Sequence, residues 1–256
     1  MSNRPIDRRA LIGGIAVGAG GLLLGGCDRL NASPPVRNLL KGAETLHYRS
    51  QRIVSAGRTA LAKEYSRADM SPKFRVNGTA MPQTPDYQAL LASNFADWRL
   101  VVDGLVARPL KLSLHDLGSL PQRAQITRHD CVEGWSAIGK WQGPQLATIL
   151  RAAGLSSRAN YIVFHCADLI GQSQYYESID LVDAFHPQTI MALLMNDHRL
   201  EVGHGAPTRL RVERQLGYKN AKFVMRIEAR DRLTDLYGGK GGYWEDAADY
   251  AWYAGI

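Results

Sequence analysis

From residue 98 onward the chain is cut into short apolar runs separated by turn signals. That segmentation limits the fold more than any other feature of the sequence. Residues 98–106 read as a strand with the turn signal Asp103-Gly104 inside it. Residues 124–129 alternate and read as a second strand, ending just before Cys131. Residues 161–166 form a buried strand, and residues 208–212 and 222–228 form two more. Residues 145–153 form a short helix stopped by Gly154. Residues 112–117 suit a short strand or the start of a helix, 179–185 a turn and short helix, and 189–195 either a helix or a strand. Short strands mixed with short helices, without regular βαβ alternation, predict an α+β domain of mixed β-sheets. There is no GxGxxG and no GxxxxGK[ST], which argues against nucleotide binding by those modes.

Composition closes off other classes. With 256 residues, 45% hydrophobic and 21% charged, the chain can bury a core without disulfide staples, which excludes a disordered chain or a miniprotein. Lys and Arg outnumber Asp and Glu by 31 to 24, a formal charge of +7. The basic residues are spread along the chain, so nucleic acid is not an expected partner, whereas anionic lipid or anionic ligands are.

The first 27 residues read as an address. Arg8 and Arg9 precede an uncharged stretch, residues 10–26, of which seven are Gly. At 17 residues it is short for a membrane-spanning helix, which needs about 20 apolar residues. The pattern resembles a twin-arginine export signal, although Asp7 stands where a small hydroxyl residue is usual. Leu24-Gly25-Gly26-Cys27 resembles a lipobox, which marks Cys27 as the lipidated residue. An uncleaved membrane anchor is the alternative. Loss of Arg4, Arg8, Arg9 and Asp7 with the signal changes +7 to +5. The expected location is the periplasmic side of a bacterial membrane, with lipid as the tether. Twin-arginine export carries folded proteins and so favours proteins loaded with a cofactor in the cytoplasm. After the signal, residues 28–38 read as a tether, 39–92 as a helical region, 93–230 as the principal domain and 231–256 as an aromatic, Gly-rich tail. The tail suits a partner-docking patch or a segment packed back over the domain.

Two cysteines remain, Cys131 and Cys166, and an oxidising compartment would favour a disulfide between them. The other reading makes Cys131 a reactive or metal-bound thiolate. Its neighbourhood is His129-Asp130-Cys131-Val132-Glu133-Gly134-Trp135-Ser136, followed by Trp141-Gln142-Gly143. A Cys on a loop past a strand end is accessible to a ligand, and a soft thiolate suits a redox metal. A cysteine hydrolase, with Cys131 as nucleophile and a His as base, is a competing reading. So is a non-catalytic lipoprotein in which Cys131 is simply buried.

Four stretches, taken in order, favour the metal reading. They are the Cys131 segment, residues 161–166, His204-Gly205-Ala206-Pro207-Thr208-Arg209, and Gly217-Tyr218-Lys219-Asn220-Ala221-Lys222, with Asn94-Phe95 as a weaker fifth. Together they resemble the pterin-binding domain of sulfite oxidase-type molybdenum enzymes, nearest the branch of periplasmic methionine-sulfoxide reductase catalytic subunits. The resemblance implies that Cys131 ligates molybdenum beside the dithiolene of a single pterin. It implies cofactor contacts from Asn94, Cys166, His204, Arg209, Lys219 and Lys222, and from the backbone of Asn220 and Ala221. Charge-assisted bonds from Arg and Lys suit the pterin phosphate. Glu133 or a nearby Tyr would gate protons.

The implied reaction is oxygen-atom transfer, the reduction of a small or protein-bound S- or N-oxide. Two departures bear on the substrate. Residues 167–177 read as a loop bordering the active site that is shorter than in the methionine-sulfoxide reductases. Val132, Glu133, Gly134 and Trp135 stand where sulfite-oxidising relatives are Arg-rich, which disfavours that alternative. The chain has no haem or flavin motif, so a haem-containing membrane protein or soluble cytochrome is the expected electron donor.

Overall fold

The computed structural model describes residues 33–54 and 60–256. The expected signal, Cys27 and residues 28–32 of the expected tether lie outside the described residues. The chain divides into two compact units at Gln51/Arg52. Helix α1, Pro34–Val54, runs through the end of the first. It starts at the diproline that suggested a tether: Pro at the first helical positions lacks only an N–H that has no helical acceptor. Among the described residues no helix is long and apolar enough to cross a membrane.

Among the described residues the second unit holds all the sheets. Helix α2, Pro85–Ala92, leads to strands β1, Leu100–Gly104, and β2, Leu110–Leu112. Helix α3, Leu114–Ser119, is capped by Ser113, whose hydroxyl accepts the Asp116 N–H. Then follow β3, Gln122–Cys131, and β4, Trp135–Pro144. Helix α4 is Leu146–Ala153, and β5, Tyr161–Ile170, pairs with β6, Ser173–Asp180. Helix α5, Leu181–Ala184, precedes the short strands β7, Ile190–Ala192, β8, Leu194–Met195, and β9, His198–Arg199. Strand β10 is Arg209–Arg211, β11 is Val224–Arg230, and helix α6 is Tyr243–Ala248.

One sheet has the order β2-β1-β11-β5-β6, with β1 and β11 parallel, and another has the order β3-β4-β8-β9. Strands β10 and β7 form a separate pair. This is the α+β arrangement that the sequence predicts. A continuous core joins the sheets, with Trp98, Leu100, Trp141, Ile149, Ile162, Phe164 and Ile227 all buried. Burial of each such side chain is worth about 1.5–3 kcal/mol. Helix α4 shows the local logic. Leu146, Ile149, Leu150 and Ala153 fall on one face and are buried, and Gly154 ends the helix at φ 71°.

Three features differ from the sequence expectation. Cys131 is the last residue of β3, paired with Trp135 across a three-residue turn, and does not sit on a loop beyond the strand. Gly134 takes φ +82° there, as such a turn requires. Strand β4 was hidden by its glycines, Gly139 and Gly143. The segment 167–177 is no loop but the facing arms of the β5–β6 hairpin. Residues 189–195 resolve into two short strands, and 112–117 into a strand end and a helix.

The aromatic tail packs back over its own domain. Leu216 N–H donates to Ala254 O at 2.9 Å, Ile256 N–H to Arg214 O at 3.0 Å, and the Tyr218 hydroxyl to Ala251 O at 2.6 Å.

Candidate active site

A cavity of about 240 Å³ opens beside the β3–β4 turn. Cys131, Val132 and Glu133 form one wall. Asp168 and Ile170 of β5 and Tyr175 of β6 form a second, and the Gly217–Lys222 segment a third. Asn77, Gly78 and Thr79 cover one side, and Trp244 and Tyr250 of the tail close another. Those two rings are stacked, with centroids 5.8 Å apart.

Cys131 is nearly buried, and burial raises its thiol pKa, with the Glu133 charge adding to the effect. Backbone N–H groups of Glu133 and Val132 pull the other way. A protonated, buried thiol is a poor nucleophile, whereas a bound cation would draw off its proton. Cys131 and Cys166 both carry free thiols, not the disulfide weighed above. Glu133 is exposed and accepts the Trp135 indole N–H at 2.9 Å.

Behind this wall lies a group of buried cations. Arg209 is 1% exposed, and burial together with Arg211 pushes it down to about 9. Its guanidinium donates to the carbonyls of His204 and Asn220, each at 3.1 Å, while its Nε has no partner. Lys222 donates to Asn77 O at 2.7 Å, Thr79 O at 2.5 Å and Gly203 O at 3.0 Å, which pins the covering loop. Burial, then Arg209, push its pKa to about 7. Among the described residues no carboxylate forms an ion pair with either cation, and the nearby Glu213 is held by Arg211. Arg209 and Arg211 both lie over the Trp141 ring, at 5.1 and 4.5 Å.

His129 is the functional candidate that the motifs left out. Its Nδ1 accepts from Arg211 at 2.8 Å, so Nε2 carries the hydrogen, and Nε2 is buried without a partner. Burial, then Arg211 and Arg209, hold the ring neutral. A Cβ on Gly217 would come within 2.6 Å of Nε2, so this position keeps the ring's edge open toward the cavity wall. The signal in the sequence was its place two residues before Cys131, on the same face of a strand.

The structure gathers Cys131, Glu133, Asn220 and Lys222 around one cavity, with Arg209 behind it. The other expected residues sit elsewhere. Cys166 is buried in the core, where burial lifts its thiol pKa well above the ordinary value. His204 packs edge-on to Phe74 at 5.7 Å and lines a different pocket. Asn94 lines a further one, with Phe95 and Pro207. Lys219 is locked between Glu177 and Glu245 at 2.6 and 2.5 Å, with no exposed surface. The N–H of Asn220 donates to Gly217 O at 3.1 Å, and the carbonyl of Ala221 accepts from Leu210 at 2.8 Å.

A molybdopterin fits this donor set. Unpaired buried cations and the free Arg209 Nε suit a phosphate, and the Cys131 sulfur suits a soft metal. Among the described residues no three His, Cys, Asp or Glu side chains converge on a metal position, so Cys131 would be the protein's ligand and the cofactor would supply the rest.

Residues 87–237 match the model of the oxidoreductase molybdopterin-binding domain. The chain belongs to that family and is a molybdopterin-dependent oxidoreductase of the sulfite oxidase type. Among its relatives, a putative protein-methionine-sulfoxide reductase subunit YedZ1 of Azospira oryzae is 44% identical over 160 residues, 62% of this chain and 56% of the relative. The protein-methionine-sulfoxide reductase catalytic subunit MsrP of Campylobacter jejuni is 30% identical, across 65% of this chain and 59% of that protein. MsrP of Gluconobacter oxydans is 33% identical, across 52% and 47%. The chain thus spans roughly half to three-fifths of these relatives' lengths. Sulfane dehydrogenase SoxCD of Paracoccus pantotrophus superposes with a TM-score of 0.48 at 23% identity, over 53% of this chain and 39% of that one.

Proposed function

We propose that this enzyme reduces S-oxides, with methionine sulfoxide in proteins as the first substrate to test, on the periplasmic side of a bacterial membrane. The observation that carries the reading is the cavity in which Cys131 shares its walls with Lys222 and the stacked Trp244–Tyr250 pair. Aromatic faces hold a methyl-sulfur group well. The names of the relatives point to the same substrate class.

In this reading a single molybdopterin supplies the redox chemistry. The chain's own groups do the rest. Cys131 ligates the metal, and Arg209 and His129, buried behind the cavity wall with unpaired N–H groups, set a positive field for an anionic cofactor. Lys222 keeps the Asn77–Thr79 loop closed over the cavity. The tail rings exclude water at its mouth. Export through the twin-arginine route, lipidation at Cys27 and a haem-containing electron donor complete the proposal.

The test is a screen of purified, cofactor-loaded protein, with a dye reductant against methionine sulfoxide, other S-oxides and N-oxides, and with a dye oxidant against sulfite. Turnover of S-oxides well above sulfite supports the reading. Sulfite oxidation without S-oxide reduction overturns it.

A further inference from the structure

Asp168 is a carboxyl group that the ion pairs of the cavity do not explain. It lies on β5, is 4% exposed and lines the same cavity as Cys131. Its Oδ1 is buried and has no hydrogen-bond partner. Thr79 hydrogen-bonds to the carboxyl group. The groups around it come from several elements: Cys166 on β5, Tyr175 on β6, Tyr87 on α2 and Lys222. Lys222 is the sole cation among them, and its ammonium is turned to three backbone carbonyls.

A carboxylate in such a wall is poorly solvated and unpaired, so the neutral acid is favoured. Burial accordingly raises Asp168 above the usual carboxylate range. The other acidic groups of the cavity are less suited to the task. Glu133 is exposed and engaged with Trp135. The Tyr175 hydroxyl donates to Tyr218 O at 2.8 Å.

We propose that Asp168 is a catalytic acid, which gives its carboxyl proton to the oxygen leaving an S-oxide seated in the cavity beside Cys131. The proposal rests on the S-oxide reductase reading. Reduction of R2S=O breaks the sulfur–oxygen bond and consumes two electrons and two protons, yielding R2S and water. The haem-bearing donor supplies the electrons. Asp168 supplies one proton as its O–H bond breaks, becomes a carboxylate, and regains a proton from water at the cavity mouth. Solvent supplies the second proton.

The experiment compares the cofactor-loaded wild type with Asp168→Asn and Asp168→Glu. Infrared difference spectra in H2O and D2O at pH 6–8 should show a protonated-carboxyl band in the wild type that is missing in D168N. With methionine sulfoxide and a dye reductant, kcat of D168N should fall about 100-fold or more, the usual range for a lost general acid. KM and the molybdenum and pterin content should hold. The wild-type rate should decline on the alkaline side as the acid ionises, and D168E should keep that limb at a shifted pH. A wild type without the band overturns the proposal, whatever the substrate. So does a D168N that retains kcat, or one that loses activity only because it loses the cofactor. A wild type with the band but no turnover of any S-oxide overturns the functional reading, and this role with it.

Discussion

Lys219→Met separates two roles for one residue. The family motif points to Lys219 as a contact to the cofactor, whereas the structure seals it between Glu177 and Glu245 at 2.6 and 2.5 Å with all three side chains at most 1% exposed. Removing the ammonium leaves two buried carboxyl groups facing each other without a cation. Breaking a buried pair in this way costs about 3–5 kcal/mol. For a domain of this size each kcal/mol lowers Tm by about 2–4 °C, so a fall of roughly 6–20 °C is expected. The assay is thermal unfolding at pH 8 of protein produced in a host that makes no molybdopterin, which isolates the chain's own stability. Adding Glu245→Gln to the variant should recover part of the loss, because one buried charge is then gone. An unchanged Tm in the cofactor-free variant, with cofactor content collapsing in the loaded one, would refute the structural role.

The same cluster sets a pH dependence. Burial holds Glu177 well above the usual carboxylate pKa, so the folded protein keeps a proton that the unfolded chain releases above its ordinary 4.5. That stabilisation is lost as pH rises from there toward the folded value, and Glu245→Gln should flatten the decline in Tm. Gly217→Ala puts a Cβ within 2.6 Å of His129 Nε2, at an expected cost of about 1–3 kcal/mol, and should reduce bound pterin as well as Tm. In cofactor-free protein, burial should make alkylation of Cys131 slow at pH 7 and faster by up to about tenfold for each pH unit gained, while fully buried Cys166 reacts only on unfolding. Fast labelling of Cys131 at pH 7 would contradict the raised thiol pKa.

Elements with a one-faced apolar pattern were legible in the sequence. Helix α4 repeats with a single apolar face to the core, whereas β3 was legible only as an alternation, since its buried face is Gln125, Thr127, His129 and Cys131 and its Ala124 and Ile126 lie on the other. Strand β4 was not, because Gly143 reads as a breaker. In the fold it permits close approach: a Cβ there would meet Met191 O at 1.9 Å. Strand β6 was obscured by its polar residues. Glu177 and Ser178 are buried against Lys219 and Trp252, 42 and 74 residues away, a pairing no local pattern contains. At the site, Cys131 and Lys222 were readable from motifs. Asp168 was not, because what marks it is an unpartnered atom in a buried wall, and the one sequence signal for His129 was its place two residues before Cys131.

The most direct measurement is the molybdenum and pterin content of protein produced with its own signal in a host that makes the cofactor, with Cys131→Ser beside it. The account predicts close to one molybdenum and one pterin per chain, with the metal site lost or altered in the variant. A well-folded wild type holding neither metal nor pterin would contradict it.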